Sequence, residues 1–355
     1  MANKNDSMKG MIQTVLGIIN PSELGITLTH EHLLIDLTCY FRMPEEATKR
    51  AIINKPITIE MLGTLRQHFY ASKEAQTMFD EQLAIEEIFK YKYAGGQSIV
   101  DTTSIGIARD PLALTRISRA TGLNIIMGGS YYVIDSHPKD MSFRTEESIT
   151  EEIIKDVTIG VGETRVKTGV IGEIGNYYPI GENETKILRA SANAQAETGA
   201  PILIHPGIHP DSPIQILKVL TDNGASPNNI IFGHLDNIRP MSAIKELGDT
   251  GCYLEYDRFG AEDTSFEYES GETSTTSVSD AQRLESLEYL ISEGLGGQIT
   301  MAHDVCLKPE TVKYGARGFA HILESIVPRM IKRGIPQKQI NAMLIDNPAN
   351  ALQFK

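Results

Sequence analysis

Along this chain, short near-continuous apolar runs alternate with stretches in which apolar residues recur every three or four positions. The runs are "GITLTH", "SIVDTTS", "NIIMGGSYY", "GVIGEIG", "PILIHPG", "NIIFGHLD", "GCYLEYD" and "QITMAHD". Strands buried on both faces read this way, because a parallel sheet covered by helices leaves no face for polar alternation. Between the runs lie amphipathic segments such as "DPLALTRISRATG", "ENETKILRASANAQAETG" and "DSPIQILKVLTDNG". Each opens near Asp, Glu or Asn and stops at Gly, residues that satisfy the free backbone groups of helix ends. Eight strands with intervening helices and no Pro/Gly/Ser linker predict an α/β fold, a (β/α)8 TIM barrel forming one domain over residues 1–355.

Such a barrel usually takes ~250 residues, so part of this 355-residue chain must be elaboration. Two segments absorb it: a helical region from about Thr58 to Tyr93, after the first strand, and Ala261 to Asp280, after the seventh. The second, "AEDTSFEYESGETSTTSVSD", is acidic and Ser/Thr-rich and reads as a mobile loop. A doubly wound open sheet is the rival architecture, but the Gly-rich phosphate turn that often marks it is missing. The net charge of -13 argues against nucleic acid or an anionic membrane as a partner. The N-terminus reads as no signal peptide, and no run approaches the ~18 apolar residues of a membrane span. Three scattered cysteines, Cys39, Cys252 and Cys306, suit reduced thiols in a cytoplasmic protein. With so little cysteine, any metal site must be built from histidine and carboxylate.

In a barrel of this type the chemistry gathers at the C-terminal ends of the strands. Reading only those ends collects His30 and His32 of "TLTHEHLLID" from the first strand and Glu173 from the fourth. His205 comes from the fifth, His234 from the sixth and Asp304 from the eighth. Four of the chain's nine histidines thus meet two acids on one rim. One buried histidine is commonly a hydrogen-bonded core residue, but this cluster would be costly to bury uncompensated. Divalent cations remove the cost. His30, His32 and Asp304 suit one ion and His205 and His234 a second, with Glu173 bridging the two. Imidazole and carboxylate donors favour zinc, with manganese or cobalt as alternatives. Such a pair lowers the pKa of a shared water and polarises the group under attack, and Asp304 is placed to take the proton. The expected chemistry is hydrolysis.

The motifs "GITLTHEHL", "GVIGEIG", "ILIHPG", "FGHLDN", "YLEYDRFG" and "AHDVC" resemble those of the phosphotriesterase family of the amidohydrolase superfamily, in family order. The resemblance runs from about Gln13 to Leu352. It implies a distorted TIM barrel with a binuclear metal centre, commonly as a homodimer. His30 and His32 correspond to the family's HxH, and His205, His234 and Asp304 to its later ligands. One departure stands out: bacterial phosphotriesterases and related lactonases bridge their metals with a carboxylated lysine, where this chain has Glu173. A glutamate needs no CO₂, and its presence argues against a dedicated organophosphate hydrolase. "QTVLGIINPSELGITLTHEHL", "GVIGEIG" and "LIDNP" resemble the animal branch of the family. That likeness implies cleavage of N-acetyltaurine to taurine and acetate.

The expected partner is therefore a small anionic N-acyl substrate, and its anionic end needs a fixed donor. Arg258 of "DRFG", directly after the seventh strand, is the first candidate, set against a structural ion pair with Asp257. It also resembles the lactonase pattern. Lys308 is the reserve, set against a solvated surface lysine. Tyr132 of "GGSYYV" matches a family tyrosine near the metal-bound oxygen in lactonases, set against an ordinary strand-end aromatic. Two other functions compete: a lactonase, carboxylesterase or weak phosphotriesterase on the same metals, and a metal-loaded binding protein without turnover. A proton-shuttling Asp304 would be superfluous in the last.

Overall fold

The computed structural model describes residues 8–51, 53–262, 265–267 and 274–355. Its centre is a ring of parallel strands: β1 (Thr27–Glu31), β2 (Ser98–Asp101), β3 (Asn124–Met127), β4 (Ile171–Gly175), β5 (Ile202–His205), β6 (Ile230–Phe232), β7 (Tyr253–Tyr256) and β8 (Ile299–Met301). Ladder pairing gives two arcs, β1–β2–β3 and β4 through β8 in order. Backbone hydrogen bonds close the ring. Gly129 N donates to Gly172 O at 2.8 Å between β3 and β4, and Asp304 N donates to His30 O at 3.1 Å between β8 and β1. The eight apolar runs are the eight barrel strands.

Helices cover the outside: α1 (Glu81–Tyr93), α2 (Pro111–Thr121), α3 (Glu146–Thr158), α4 (Glu182–Thr198), α5 (Ser212–Asp222), α6 (Met241–Asp249), α7 (Asp280–Ser292) and α8 (Val327–Lys332). The capping signals work as the sequence suggests. Asp110 accepts from Leu112 N and Ala113 N at the start of α2, and Gly122 ends it at φ 68°. Along β5 the period of two sorts the core. Ile202 and Ile204 face the helices, packed with Ile187, Leu188 and Ile216 in one cluster. Leu203 faces inward with Val100, Ile126, Ile231 and Tyr253, in a plug closed by Ile12, Leu24 and Leu352.

Two strands break this alternation where chemistry requires it. On β1, Leu28 belongs to the outer cluster, so an unbroken strand would carry His30 and His32 outward too. The register of β1 on β2 shifts between Leu28 and Glu31 and turns both imidazoles inside. On β4, Ile171 and Ile174 both face outward, and the register shift between them turns Glu173 into the barrel. Bulges commonly re-aim side chains at active sites, and here each delivers ligand-type residues.

The elaborations differ in part from expectation. From Thr58 to Tyr93 only Leu62–Gln67 and α1 are α-helical, and Thr77–Met78 pairs antiparallel with Ile35–Asp36. Phe69 and Met78 pack with Ile35, Leu37 and Tyr132. The buried Gln76 amide donates to the carbonyls of Phe69 and Ser72, so tertiary contacts override helical propensity. Within Ala261 to Asp280, residues 263–264 and 268–273 lie outside the described set. Ser265–Glu267 and Ser274–Thr276 form an antiparallel pair where a loop was expected.

Candidate metal centre

Glu173 is the hub of the site. Its Oε2 lies 3.3 Å from His30 Nε2, 3.0 Å from His205 Nδ1 and 3.5 Å from His234 Nε2, and its Oε1 lies 3.2 Å from His32 Nε2. Asp304 Oδ1 stands 3.3 Å from His32 Nε2. The structure thus gathers all six residues read from the strand ends. Two sets of converging donors, His30–His32–Glu173 and Glu173–His205–His234, share the glutamate, and His30, His234 and Asp304 also converge.

Carboxylates behind the imidazoles fix their orientation. His30 Nδ1 lies 3.0 Å from Glu255 Oε2 and 3.2 Å from Asp257 Oδ2, while His234 Nδ1 lies 3.0 Å from Asp257 Oδ1. His32 Nδ1 faces the Thr103 hydroxyl at 2.9 Å. Each of these three imidazoles is held at Nδ1 with Nε2 turned inward, the arrangement that metal-ligating histidines adopt. Gly233 makes room for it. A Cβ there would sit 2.9 Å from Asp257 Oδ2 and 3.1 Å from His30 Nδ1. Sequence reading missed the part played by Glu255 and Asp257. The available signal was two acids at i and i+2 of a barrel strand, hence on one face.

The donor set fits divalent cations on an observation of its own: His30 Nε2 is buried and, although 3.3 Å from Glu173 Oε2, is not aligned to make a hydrogen bond. His303, beside Asp304 in sequence, shows the contrast. Its Nδ1 lies 2.8 Å from Glu31 and its Nε2 accepts from Ile322 N at 3.0 Å, a fully satisfied core histidine. Burial works against the cationic form of His32, but Asp304 and Glu173 outweigh it and bring the imidazole to about 9. Burial would push Glu173 up, but His30, His205 and His234 hold its carboxyl well below the usual range. His234 and Asp304 both take left-handed backbone angles, φ 57° and 49°, an uncommon conformation that concentrates at functional sites.

A cavity of about 140 Å³ opens onto the cluster, lined by His32, His205, His234 and Asp304, by Tyr132, Arg258 and Arg42, and by apolar side chains including Leu37 and Phe69. Tyr132 stands on its wall, its hydroxyl 3.4 Å from His205 Nδ1 and accepting from Tyr40 at 3.0 Å. Arg258 also reaches the cavity but is 3% exposed, and it pairs with Asp304 and Glu310 at 2.8 Å each. Lys308 pairs with Glu74 at 2.5 Å, and it is absent from the cavity lining.

A closed (β/α)8 barrel whose strand ends gather histidines and acids around one shared glutamate defines a metal-dependent hydrolase. The chain belongs to the Phosphotriesterase family, whose sequence profile matches residues 10–352. It is 40% identical to the N-acetyltaurine hydrolase of Salmo salar over 351 residues, 98% of this chain and 99% of that one. It superposes on a resiniferatoxin-binding protein from Rhodobacter sphaeroides with a TM-score of 0.92 and 32% identity, covering 97% of this chain and 95% of that one. A substituted PTE-like lactonase from Deinococcus radiodurans superposes with a TM-score of 0.75 and 27% identity, over 96% of this chain and 99% of the other.

Proposed function

We propose that this hydrolase cleaves the amide bond of short N-acyl substrates with an anionic amine part, N-acetyltaurine first, using two divalent cations, zinc before manganese or cobalt. The observation that carries the reading is Glu173 shared between two donor sets, in a chain 40% identical to an N-acetyltaurine hydrolase. His30, His32 and Asp304 would hold one cation, His205 and His234 the other, and Glu173 both. When bound, the cations supply an activated water and a Lewis acid toward the scissile carbonyl.

The protein's own groups do the rest. Asp304 faces the cavity and accepts the proton of the attacking water, then returns it to the amide nitrogen as the C–N bond breaks. Taurine and acetate leave. Tyr132 accepts from Tyr40, which leaves its own proton available to the acyl oxygen. Apolar cavity walls exclude water from the acyl methyl. A cytoplasmic homodimer belongs to the same reading, supported by free Cys39, Cys252 and Cys306 and by the family resemblance.

A lactonase is the second reading, favoured by Tyr132 on the cavity wall and by the likeness to the Deinococcus radiodurans protein. Metal-loaded and chelated protein assayed on N-acetyltaurine, N-acetyl amino acids, lactones and paraoxon separates the two. N-acetyltaurine should give the highest specificity constant, lost on chelation. A lactone turned over faster than every amide would overturn the proposal.

A further inference from the structure

We infer that Glu31, the residue between His30 and His32, is a positioning residue that sets the place of Asp304. This rests on the two-cation reading above, in which Asp304 completes the site begun by the two histidines. Glu31 ends β1, is fully buried, and reaches with its carboxylate to the chain just past β8. Its Oε1 accepts from the backbone N of His303 at 2.8 Å, and its Oε2 accepts from Val305 N at 3.0 Å. One carboxylate thus takes the backbone N–H on either side of Asp304. The N–H of Asp304 itself donates to His30 O at 3.1 Å, so three successive backbone donors are held from β1.

The His303 side chain completes the clamp. Its Nε2 accepts from Ile322 N at 3.0 Å, which leaves the ring proton on Nδ1. Nδ1 therefore donates to Glu31 Oε1, at 2.8 Å. Three N–H donors on two oxygens offset the cost of burying this carboxylate.

The clamp stands where backbone pairing is thinnest. Among the described residues no ladder joins β8 to β1. β8 ends at Met301, and residues 302–305 follow it as irregular backbone. Asp304 there takes φ 49°, a conformation that persists only where its surroundings over-determine it. Glu31 supplies that constraint from the same strand end that carries His30 and His32. Arg258 acts on the other side, donating to the Asp304 carbonyl oxygen and to its carboxylate. A Glu31 that only tied β1 to β8 would stabilise the barrel without regard to Asp304, and the two roles separate in a mutant cycle.

The test compares full-length wild type, Glu31→Gln, Asp304→Ala and the double variant, each titrated with zinc against a chelator of known affinity. In Glu31→Gln an N–H replaces one acceptor, so one flanking backbone donor is released. That variant should bind one zinc equivalent roughly ten- to a hundred-fold more weakly and the other within about threefold of wild type. Added to Asp304→Ala, the same change should cost less than about threefold, because the group it positions is already gone. On N-acetyltaurine, Glu31→Gln should lower kcat roughly ten- to a hundred-fold with KM within about threefold. Glu31→Asp keeps the charge but is one methylene shorter. It should show the same one-sided loss at smaller size, and it carries the test should Glu31→Gln fail to fold. Equal weakening of both equivalents, the same loss with and without Asp304, or unchanged affinity would overturn the assignment. Wild type that binds two equivalents without cleaving N-acetyltaurine would sink the amidohydrolase reading and leave the zinc cycle to decide Glu31. Wild type that binds less than one equivalent would overturn both.

Discussion

Arg258 grips Asp304 at two points: its Nη1 donates to the Asp304 carbonyl oxygen at 2.6 Å and to Oδ2 at 2.8 Å. Its Nη2 is anchored by Glu310 at 2.8 Å, whose other oxygen accepts from Cys306 N and Leu307 N at 3.0 Å each. Burial would push the Asp304 carboxyl up, but the Arg258 guanidinium, with His32, holds it below its usual range. The arginine thus orients the Asp304 carboxylate and favours its ionised form; with Asp304 as the proposed proton acceptor, that makes Arg258 a positioning residue.

Arg258→Met should therefore lower kcat by roughly ten- to a hundred-fold on anionic and neutral amides alike, with little change in KM. Steady-state kinetics on a matched pair of substrates measures this. A loss confined to the anionic substrate would instead make Arg258 the anion-binding residue, as its place after β7 suggests from sequence.

Glu173 carries its own carboxylate, so reloading metal-free protein should not depend on CO₂. Reconstitution in CO₂-depleted and bicarbonate-rich buffers should give equal activity. Glu173→Gln should lose most turnover and bind the cations more weakly, because both donor sets lose their shared anion. Strong bicarbonate dependence would mean that another residue bridges.

Asp257 accepts from His234 N at 2.8 Å and stands 3.0 Å from its Nδ1, and it also backs His30 at 3.2 Å. Removing its charge frees two imidazoles from their orientation. Asp257→Asn should weaken cation affinity about 10–100-fold, as losing such supports typically does. Competition with a chelator of known affinity measures the change. Unaltered affinity would show that Glu255 alone suffices for His30 and that His234 needs no support.

Much of this centre was legible in the sequence, because its residues lie at or close to the C-terminal halves of strands and a barrel brings those ends together. The bulges that turn His30, His32 and Glu173 inward were not legible, since alternation alone gives no sign of a register shift. Glu255 and Asp257 could have been found by their spacing of two. The cavity-lining Arg42 could not: it lies in an irregular loop, with nothing periodic to mark it. The partner of Arg258 was hidden for the same reason. Adjacency suggested Asp257, whereas Asp304 and Glu310 lie far along the chain and meet it only in the folded rim.

Asp280 supports the opposite flank of the rim. It is fully buried, accepts from His321 Nε2 at 2.7 Å, from Gly260 N at 2.9 Å and from Arg283 at 3.2 Å. Burial would raise its carboxyl, but His321, the Gly260 N–H and Arg283 bring it down to about 2. A folded pKa below the unfolded value stabilises fully above about pH 4, and the contribution disappears as pH falls toward 2. Asp280→Asn should cost about 2 kcal/mol near neutral pH, the weight of a carboxyl lowered by roughly two pH units, since buried Arg283 keeps Asp236 at 2.6 Å. Denaturant unfolding from pH 7 to pH 2 should show the two proteins converging as the medium becomes acidic. A constant difference across that range would remove Asp280 from the acid limb.

The central claim is that this barrel hydrolyses an N-acyl amide with two cations held around Glu173. The direct measurement strips the protein with chelator, reloads it with zinc or manganese, and follows bound metal and N-acetyltaurine turnover together. Two equivalents should bind per chain, with negligible turnover in the stripped protein and activity that returns as both equivalents bind. Full turnover after stripping, or less than one equivalent bound with ample metal, would contradict it.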